Sequence, residues 1–123
     1  MSAVIPVAKQ SPRISDGTIA WYAGDAFMVD WEVHLTEDGN PLVFEPGDAL
    51  IWNFFGEDKE NAIYTFTFNY DDISDNKVTL FFTHEISARF PVGLYTYCVK
   101  FVCHDGRIVT LNANNRVKVE PCH

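Results

Sequence analysis

Basic residues, cysteines and long hydrophobic runs are all scarce in this sequence. Nine lysine and arginine residues face seventeen aspartate and glutamate residues, so the formal net charge at pH 7 is -8. A chain this acidic repels phosphate backbones and anionic lipid, which argues against nucleic acid and membrane surfaces as partners. No apolar stretch approaches the ~20 residues of a membrane-spanning helix, and no basic segment precedes the short apolar run Ala3 to Ala8. We therefore expect a soluble chain without a signal peptide.

The three cysteines, Cys98, Cys103 and Cys122, are odd in number and lie near the end of the chain. A secreted disulfide framework is not expected from this pattern, which favours free thiols in a cytoplasmic product. With His104 and His123 they offer enough sulfur and nitrogen for a zinc site. However, there is no Cys-x2-Cys knuckle, and Cys98 and Cys103 should face opposite sides of one strand. The sequence therefore predicts neither a bound metal nor a cofactor.

Length and composition indicate one folded domain. Hydrophobic residues make up 47% and aromatic residues 15% of the 123 residues, which suffices for one packed core. The segment 1–17 carries Pro6 and Pro12 among small and polar residues and shows neither helical nor strand periodicity. We predict that it is an N-terminal arm or linker, and that residues 18–123 form the folded domain.

Short alternating runs separated by turn residues predict an all-β domain. In residues 27–35, apolar side chains alternate with Met28, Asp30, Glu32 and His34, which is the period of a strand buried on one face. Further strands are predicted at 49–55, 64–70, 77–83, 94–103, 107–112 and 116–120, and the last two could be one strand with a bulge. The segment 71–76 is predicted to close a hairpin, and 83–90 to form one helical turn.

About seven strands with short loops favour a Greek-key sandwich or a small barrel. The stretch Gly93-Leu94-Tyr95-Thr96-Tyr97 resembles the start of strand F in immunoglobulin-like domains, so we predict an immunoglobulin-like antiparallel β-sandwich. The resemblance implies that Tyr95 hydrogen-bonds across a corner, that Tyr97 replaces the usual cysteine and that Trp52 is the core tryptophan of strand C. The preceding strand holds Trp31 and no cysteine, so aromatic packing must replace the inter-sheet disulfide.

A narrower resemblance covers about Thr18 to Glu120. It is carried, in chain order, by Gly24-Asp25, Glu37-Asp38-Gly39-Asn40-Pro41, Gly93-Leu94-Tyr95-Thr96-Tyr97, His104-Asp105-Gly106-Arg107 and Val117-Lys118-Val119. This order resembles the N-terminal domain of phage upper-baseplate proteins, the BppU type. The resemblance implies an assembly module that is made in the bacterial cytoplasm and built into the virion tail. Its expected partners are other phage tail or baseplate proteins and further copies of itself, as a homo-oligomer.

Two polar runs that could carry chemistry have simpler explanations. Asp30, Glu32 and His34 share one strand face, but an exposed row lacks the desolvation that shifts catalytic pKa values. The run 71–76 offers oxygen ligands to calcium but lacks the alternating carboxylates and the glycine of a dedicated loop, which favours a solvated turn. No nucleophile motif or phosphate-binding glycine loop is present. The sequence predicts a non-catalytic protein.

Apolar residues left over from the core predict a protein-protein interface. By alternation, five of them point away from the core: Ile51, Phe55, Phe81, Leu94 and Val102. If the strands that carry Ile51 and Leu94 share a sheet, Ile51, Phe55, Leu94 and Val102 form a contiguous patch of the kind that marks an interface, and Phe81 adds another outward aromatic side chain. The alternative is that the N-terminal arm folds over this face and keeps the protein monomeric.

A carbohydrate-binding module is the alternative function. Five aromatic residues could include the flat platform that such modules use, namely Trp21, Tyr22, Trp31, Trp52 and Tyr64. Core packing explains most of them by period, which leaves Trp21 and Tyr22 beside Gly24-Asp25 as the candidates for a platform.

Overall fold

The alternating runs form strands that pack as two sheets in the computed structural model, which describes residues 3–7, 13–15, 17–37 and 40–121. Within these residues one short helix, α1 (His84–Ser87), lies at the predicted helical turn. The strands are β1 (Ala3–Val7), β2 (Arg13–Ser15), β3 (Thr18–Tyr22), β4 (Phe27–Glu37), β5 (Asn40–Leu42), β6 (Ala49–Phe55), β7 (Tyr64–Asn69), β8 (Lys77–Phe82), β9 (Gly93–Val102) and β10 (Ile108–Glu120). None of the described helices is long and apolar enough to cross a membrane.

The strand order is that of an immunoglobulin-like sandwich. One sheet has the order β2-β3-β10-β9-β6-β7, and in the other β4 pairs with β1, β5 and β8. The β3–β10 pair is parallel, whereas the pairs β9–β10, β6–β9 and β4–β8 are antiparallel. Strands β4, β6, β9 and β10 correspond to strands B, C, F and G of that fold. The prediction of an all-β sandwich is confirmed, and β10 is one strand with bulges between Thr110 and Asn115.

The segment predicted to be an arm contributes two edge strands. β1 pairs antiparallel with β4, and β2 pairs antiparallel with β3. Pro6 of β1 lies opposite Trp31 of β4. A proline is tolerated there because β1 is an edge strand. Runs of three to five residues are too short to show a period, which is why no strand was predicted here. The rest of the predicted arm lies outside the described residues.

The predicted hairpin between β7 and β8 does not form. β7 pairs with β6 at the edge of the six-stranded sheet, whereas β8 pairs with β4 in the other sheet. Between them lie a 3-10 turn (Tyr70–Asp72) and a reversal at Asp75 and Asn76, whose φ angles are 52° and 60°. Tyr70, the last residue of the strand predicted at 64–70, lies in this turn instead and is exposed. Alternation sets the face of a strand but not its neighbour, so a crossover between sheets looks like a hairpin in the sequence.

Aromatic rings fill the position of the missing inter-sheet disulfide. Trp31 and Trp52 lie on facing sheets with ring centroids 6.0 Å apart, and Tyr97 packs edge-on against Trp31 at 5.8 Å. All three side chains are buried. The Tyr97 hydroxyl donates to the carbonyl oxygen of Gly17 at 2.8 Å, and burial raises the pKa of its phenol. The core therefore joins β4, β6 and β9 through packed rings, as the absence of a cysteine in β4 requires.

The predicted tyrosine corner is present. The Tyr95 hydroxyl donates a hydrogen bond to the Pro91 carbonyl, four residues upstream, at the point where the chain enters β9. The ring packs edge-on against Phe90 at 5.2 Å. Partial burial raises the pKa of the Tyr95 phenol. The hydroxyl thus fixes the angle between the loop after α1 and the central strand of the sheet.

Removing this hydroxyl should cost stability. We expect Tyr95→Phe to lower the free energy of unfolding by about 1 kcal/mol, because the Pro91 carbonyl loses its partner and the corner loosens. Urea denaturation followed by tryptophan fluorescence measures the change. Tyr22→Phe is the matched control, since this more exposed tyrosine lies outside the corner. Equal midpoints for Tyr95→Phe and the wild type would contradict a stabilising corner.

Candidate functional site

The pairing register places four of the predicted interface residues on one surface. β9 lies between β6 and β10, with Thr96 opposite Phe55 and Val102 opposite Ala49. Directly opposite residues point to the same side of a sheet. Ile51, Phe55, Leu94 and Val102 therefore share the side of the six-stranded sheet that faces away from the core, which we call the outer face.

The outer face is mixed rather than continuously apolar. Leu94 is 76% exposed, whereas Ile51, Phe55 and Val102 are partly buried. Along β9 the row from Leu94 to Val102 is interrupted by Thr96, Cys98 and Lys100. Ile108, opposite Val102 on β10, adds a further exposed apolar side chain. The apolar residues are thus spread among polar ones, as is usual in interfaces between separately stable proteins.

Exposed Leu94 lies in a groove with a positively charged wall. The groove has a volume of about 430 Å³ and includes Lys59, Thr96, Arg116 and Lys118 among its lining residues. Lys118 lies directly opposite Leu94, and the Lys59 ammonium donates to the Thr96 hydroxyl at 3.1 Å. We call this feature the basic groove.

The outer face as a whole concentrates positive charge. Five of the nine lysine and arginine residues lie on it or at its margin, namely Arg13, Lys59, Lys100, Arg116 and Lys118. Arg13 forms an ion pair with Glu120 across β2 and β10. Because the net charge of the chain is -8, the rest of the chain outside this basic surface carries an excess of negative charge. The sequence did not reveal it, since these residues are scattered singly along the chain.

Phe81 does not belong to the outer face. It lies on β8, in the other sheet, directly opposite Met28 of β4, and the two side chains are 52% and 58% exposed. The sequence analysis counted Phe81 among the interface residues because alternation points it away from the core, which is confirmed, but alternation cannot show which sheet β8 joins. We call the surface that carries Met28 and Phe81 the β4–β8 face.

The polar row considered for acid-base chemistry lies on this β4–β8 face. Thr79 donates to the Asp30 carboxylate at 2.6 Å, and His34 Nε2 lies 3.2 Å from a Glu32 carboxylate oxygen. Lys77 lies opposite Glu32. Asp30 and His34 are exposed and Glu32 partly so, as the sequence predicted for the solvent side of an amphipathic strand. These groups are therefore paired with each other in water-accessible positions.

The aromatic platform considered for the alternative, carbohydrate-binding function is not formed by Trp21. This side chain is 1% exposed and packs against Phe27 and Phe82 with ring centroids 4.9 and 5.0 Å apart. Tyr22 is exposed, but the guanidinium carbon of Arg13 lies 5.4 Å from its ring centroid. The proximity of Trp21 to the Gly24-Asp25 turn was misleading, because Trp21 still lies on the inner row of β3. All three tryptophans are in the core, so the geometry does not favour sugar binding.

A polar cluster at the other end of the six-stranded sheet was missed by the sequence analysis. Asp48 ends the turn before β6, and His104 begins the turn after β9. The pairing of Ala49 with Val102 brings the two turns together. Gly47 has φ +96°, and a Cβ at this position would lie 2.9 Å from the His104 Cβ. Only glycine therefore fits this close approach without a shift.

The buried carboxylate of Asp48 has three hydrogen-bond partners. Its carboxylate accepts hydrogen bonds from the backbone N–H of Glu45 and of His104, each at 2.8 Å, and one oxygen lies 2.9 Å from His104 Nδ1. Burial raises the pKa of Asp48, but the hydrogen bonds from Glu45 and His104 outweigh it and the pKa is lowered. The hydrogen bond to Asp48 raises the pKa of His104. The cluster thus holds an ionised aspartate against a readily protonated imidazole.

Cys103 completes this cluster. Its buried Sγ lies 3.7 Å from His104 Nδ1 and 3.8 Å from an Arg107 nitrogen. A nucleophilic Cys-His-Asp arrangement needs the thiol and the carboxylate on different ring nitrogens. Here both meet Nδ1, so His104 is not placed to take the thiol proton while Asp48 orients it. Cys98, by contrast, is partly exposed in the polar row of β9, and Cys122 and His123 lie outside the described residues.

The raised pKa of His104 predicts a pH-dependent stability. Protonated His104 adds to the free energy of unfolding through its pair with Asp48. This stabilisation is fully present below pH 6.5, the pKa of an unperturbed histidine, and is lost as the pH rises through the higher pKa of His104 in the folded protein, because the imidazole then loses its proton. We expect the urea midpoint of the wild type to fall across this range. In His104→Gln this fall of the urea midpoint with pH should disappear, whereas His34→Gln should retain it. A wild-type slope in His104→Gln would contradict the assignment.

Two features of the described residues carry the functional argument. One is the basic groove around Leu94 on the outer face, and the other is the exposed pair Met28 and Phe81 on the β4–β8 face. The Asp48 cluster is a separate polar site at the end of the sandwich. A scan against protein-family models and a search of curated protein sequences both found no match to this chain.

Proposed function

We propose that this chain is a non-catalytic assembly protein of a phage or prophage tail or baseplate. It binds other protein subunits through the outer face and the β4–β8 face of its sandwich. The observation that carries the binding role is the basic groove around the exposed Leu94 on a protein of net charge -8. The tail assignment rests on the resemblance over Thr18 to Glu120 to phage upper-baseplate domains.

The basic groove has the makeup of a protein-binding surface. Leu94 supplies an apolar anchor, and Lys59, Arg116 and Lys118 surround it with positive charge. Interfaces commonly combine an apolar centre with a polar rim. Opposite charge on the partner speeds encounter and fixes orientation. The groove therefore fits a partner surface that presents an apolar side chain among carboxylates.

A second copy of this chain offers such a surface. The β4–β8 face presents Met28 and Phe81 as an exposed apolar pair, with Asp30 and Glu32 further along β4 on the same side. Docking this face onto the basic groove of the next copy would join unlike surfaces. Such a head-to-tail contact closes into a ring when the rotation permits and otherwise continues as a filament. Ring or stacked assembly is the organisation expected of a tail component.

A mixing experiment with two variants tests this head-to-tail contact. Leu94→Asp places a charge in the basic groove and leaves the β4–β8 face intact. Phe81→Asp places a charge on the β4–β8 face and leaves the basic groove intact. Each variant alone should be monomeric by light scattering, because one half of every contact is damaged. An equimolar mixture should give a one-to-one dimer and nothing larger, since only one productive contact remains. Val43→Asp, a control at a side chain that is 73% exposed in the loop after β5, should assemble like the wild type.

The outcomes separate the two parts of the proposal. A mixture that stays monomeric while the wild type assembles rules out the head-to-tail contact, and a wild type that is monomeric throughout rules out self-assembly. The tail assignment is tested independently by the genes next to this one. Tail and baseplate genes would support it, and a metabolic operon would overturn it.

A further inference from the structure

We propose that Asp48, Cys103 and His104 form a three-ligand binding site for Zn²⁺. Their candidate ligand atoms, a carboxylate oxygen, Sγ and an imidazole nitrogen, all lie within 4.8 Å of one another, and no other such group occurs among the described residues. Thiolate, imidazole and carboxylate are the donors that zinc takes in proteins, and three protein ligands with one water is a common arrangement.

The distances already approach those of a tetrahedral site. With zinc bonds of about 2.0 to 2.3 Å, neighbouring ligand atoms lie about 3.3 to 3.6 Å apart. His104 Nδ1 lies 3.7 Å from Cys103 Sγ and 2.9 Å from an Asp48 carboxylate oxygen. The third distance, from Cys103 Sγ to the Asp48 carboxylate, is at most 4.8 Å, so side-chain rotations of about an ångström or less would bring the three ligand atoms to tetrahedral spacing. The two turns that carry the ligands are held by the β6–β9 ladder, so little ordering is needed.

The surroundings support each ligand. Glu45 places a carboxylate oxygen 3.7 Å from His104 Nε2, from which a small side-chain movement would give the hydrogen bond that orients a metal-binding imidazole through its other nitrogen. The backbone N–H groups of Glu45 and His104 fix the Asp48 carboxylate. An Arg107 nitrogen lies 3.8 Å from Cys103 Sγ, so the sulfur is already held in place beside the imidazole.

Binding would exchange protons for the metal. The thiol proton of Cys103 and the proton on His104 Nδ1 are released to solvent, and Zn²⁺ replaces the hydrogen bond between His104 and Asp48. Because that hydrogen bond already satisfies both side chains, the fold does not need the ion. Zinc should instead tie the turn before β6 to the turn after β9 and raise the unfolding midpoint.

Cobalt substitution tests the site directly. Co²⁺ added to the reduced wild type should give one equivalent of strong visible absorption, typical of four-coordinate Co²⁺, with a sulfur charge-transfer band in the near ultraviolet. Added Zn²⁺ should remove both. Cys103→Ser should lose the charge-transfer band, while Cys98→Ser and Cys122→Ser should keep it. Circular dichroism checks that each variant is folded.

A second measurement does not depend on removing the thiol. His104→Gln keeps Cys103 and should weaken Zn²⁺ binding at least about 10-fold, in competition with a chromophoric chelator. His34→Gln should bind as the wild type does. The proposal fails if the wild type gives only the weak absorption of six-coordinate Co²⁺, if the charge-transfer band survives Cys103→Ser, or if Cys122→Ser abolishes it.

Discussion

Phe54→Ala should lower the free energy of unfolding by about 3 to 5 kcal/mol, a large part of the stability that a small domain usually has. Phe54 is fully buried on the inner row of β6. Its ring lies 5.5 to 5.9 Å from four others, those of Phe66, Phe82, Phe90 and Tyr97. These rings belong to both sheets and to the loop after α1. A cavity here would remove contacts that hold the two layers together.

Phe81→Ala is the matched control for this loss. It deletes the same atoms from a side chain that is 52% exposed on the β4–β8 face, so we expect a loss below about 1 kcal/mol. Urea unfolding followed by circular dichroism gives both values. Equal losses for Phe54→Ala and Phe81→Ala would mean that Phe54 is not at the centre of the core.

Asp48→Ala should cost about 2 to 4 kcal/mol in metal-free buffer. Asp48 is 2% exposed, and its removal leaves the N–H groups of Glu45 and His104 without their acceptor in two part-buried hydrogen bonds. The turns before β6 and after β9 would then lose the side chain that joins them. We expect a lower urea midpoint and faster hydrogen exchange at these two N–H groups.

Asp58→Ala is the control for Asp48. Asp58 also accepts a backbone hydrogen bond, from Glu60 at 2.9 Å, but it lies in an exposed loop. Its replacement should leave the midpoint close to that of the wild type. If Asp48→Ala unfolds at the same urea concentration as Asp58→Ala, then the buried carboxylate does not stabilise the two turns.

The faces of the strands could be predicted from the sequence, but the neighbours of the strands could not. Alternation correctly placed Trp31, Trp52 and Tyr97 inside and Leu94 outside, because side-chain direction depends only on position within a strand. The same pattern predicted a hairpin between β7 and β8, which lie in different sheets. Pairing depends on the complete set of strands that compete for each edge, and no local pattern contains that information.

The same limit applies to the surfaces. Charges that are isolated along the chain, such as Lys59, Lys100 and Arg116, come together only through the β6–β9–β10 register. Asp48 and His104 are 56 residues apart and meet because their strands are neighbours. The apolar residues of the outer face were therefore predicted without the charges that surround them, and Cys103 and His104 were considered without Asp48.

The solution mass of the wild type, measured by light scattering over a range of protein and salt concentrations, tests the assembly proposal most directly. We expect a mass above the 14.0 kDa of one chain, which rises with protein concentration. Added salt should shift the mass toward the monomer, because part of the proposed contact between the basic groove and the β4–β8 face is electrostatic. A mass of 14.0 kDa under all conditions would contradict it.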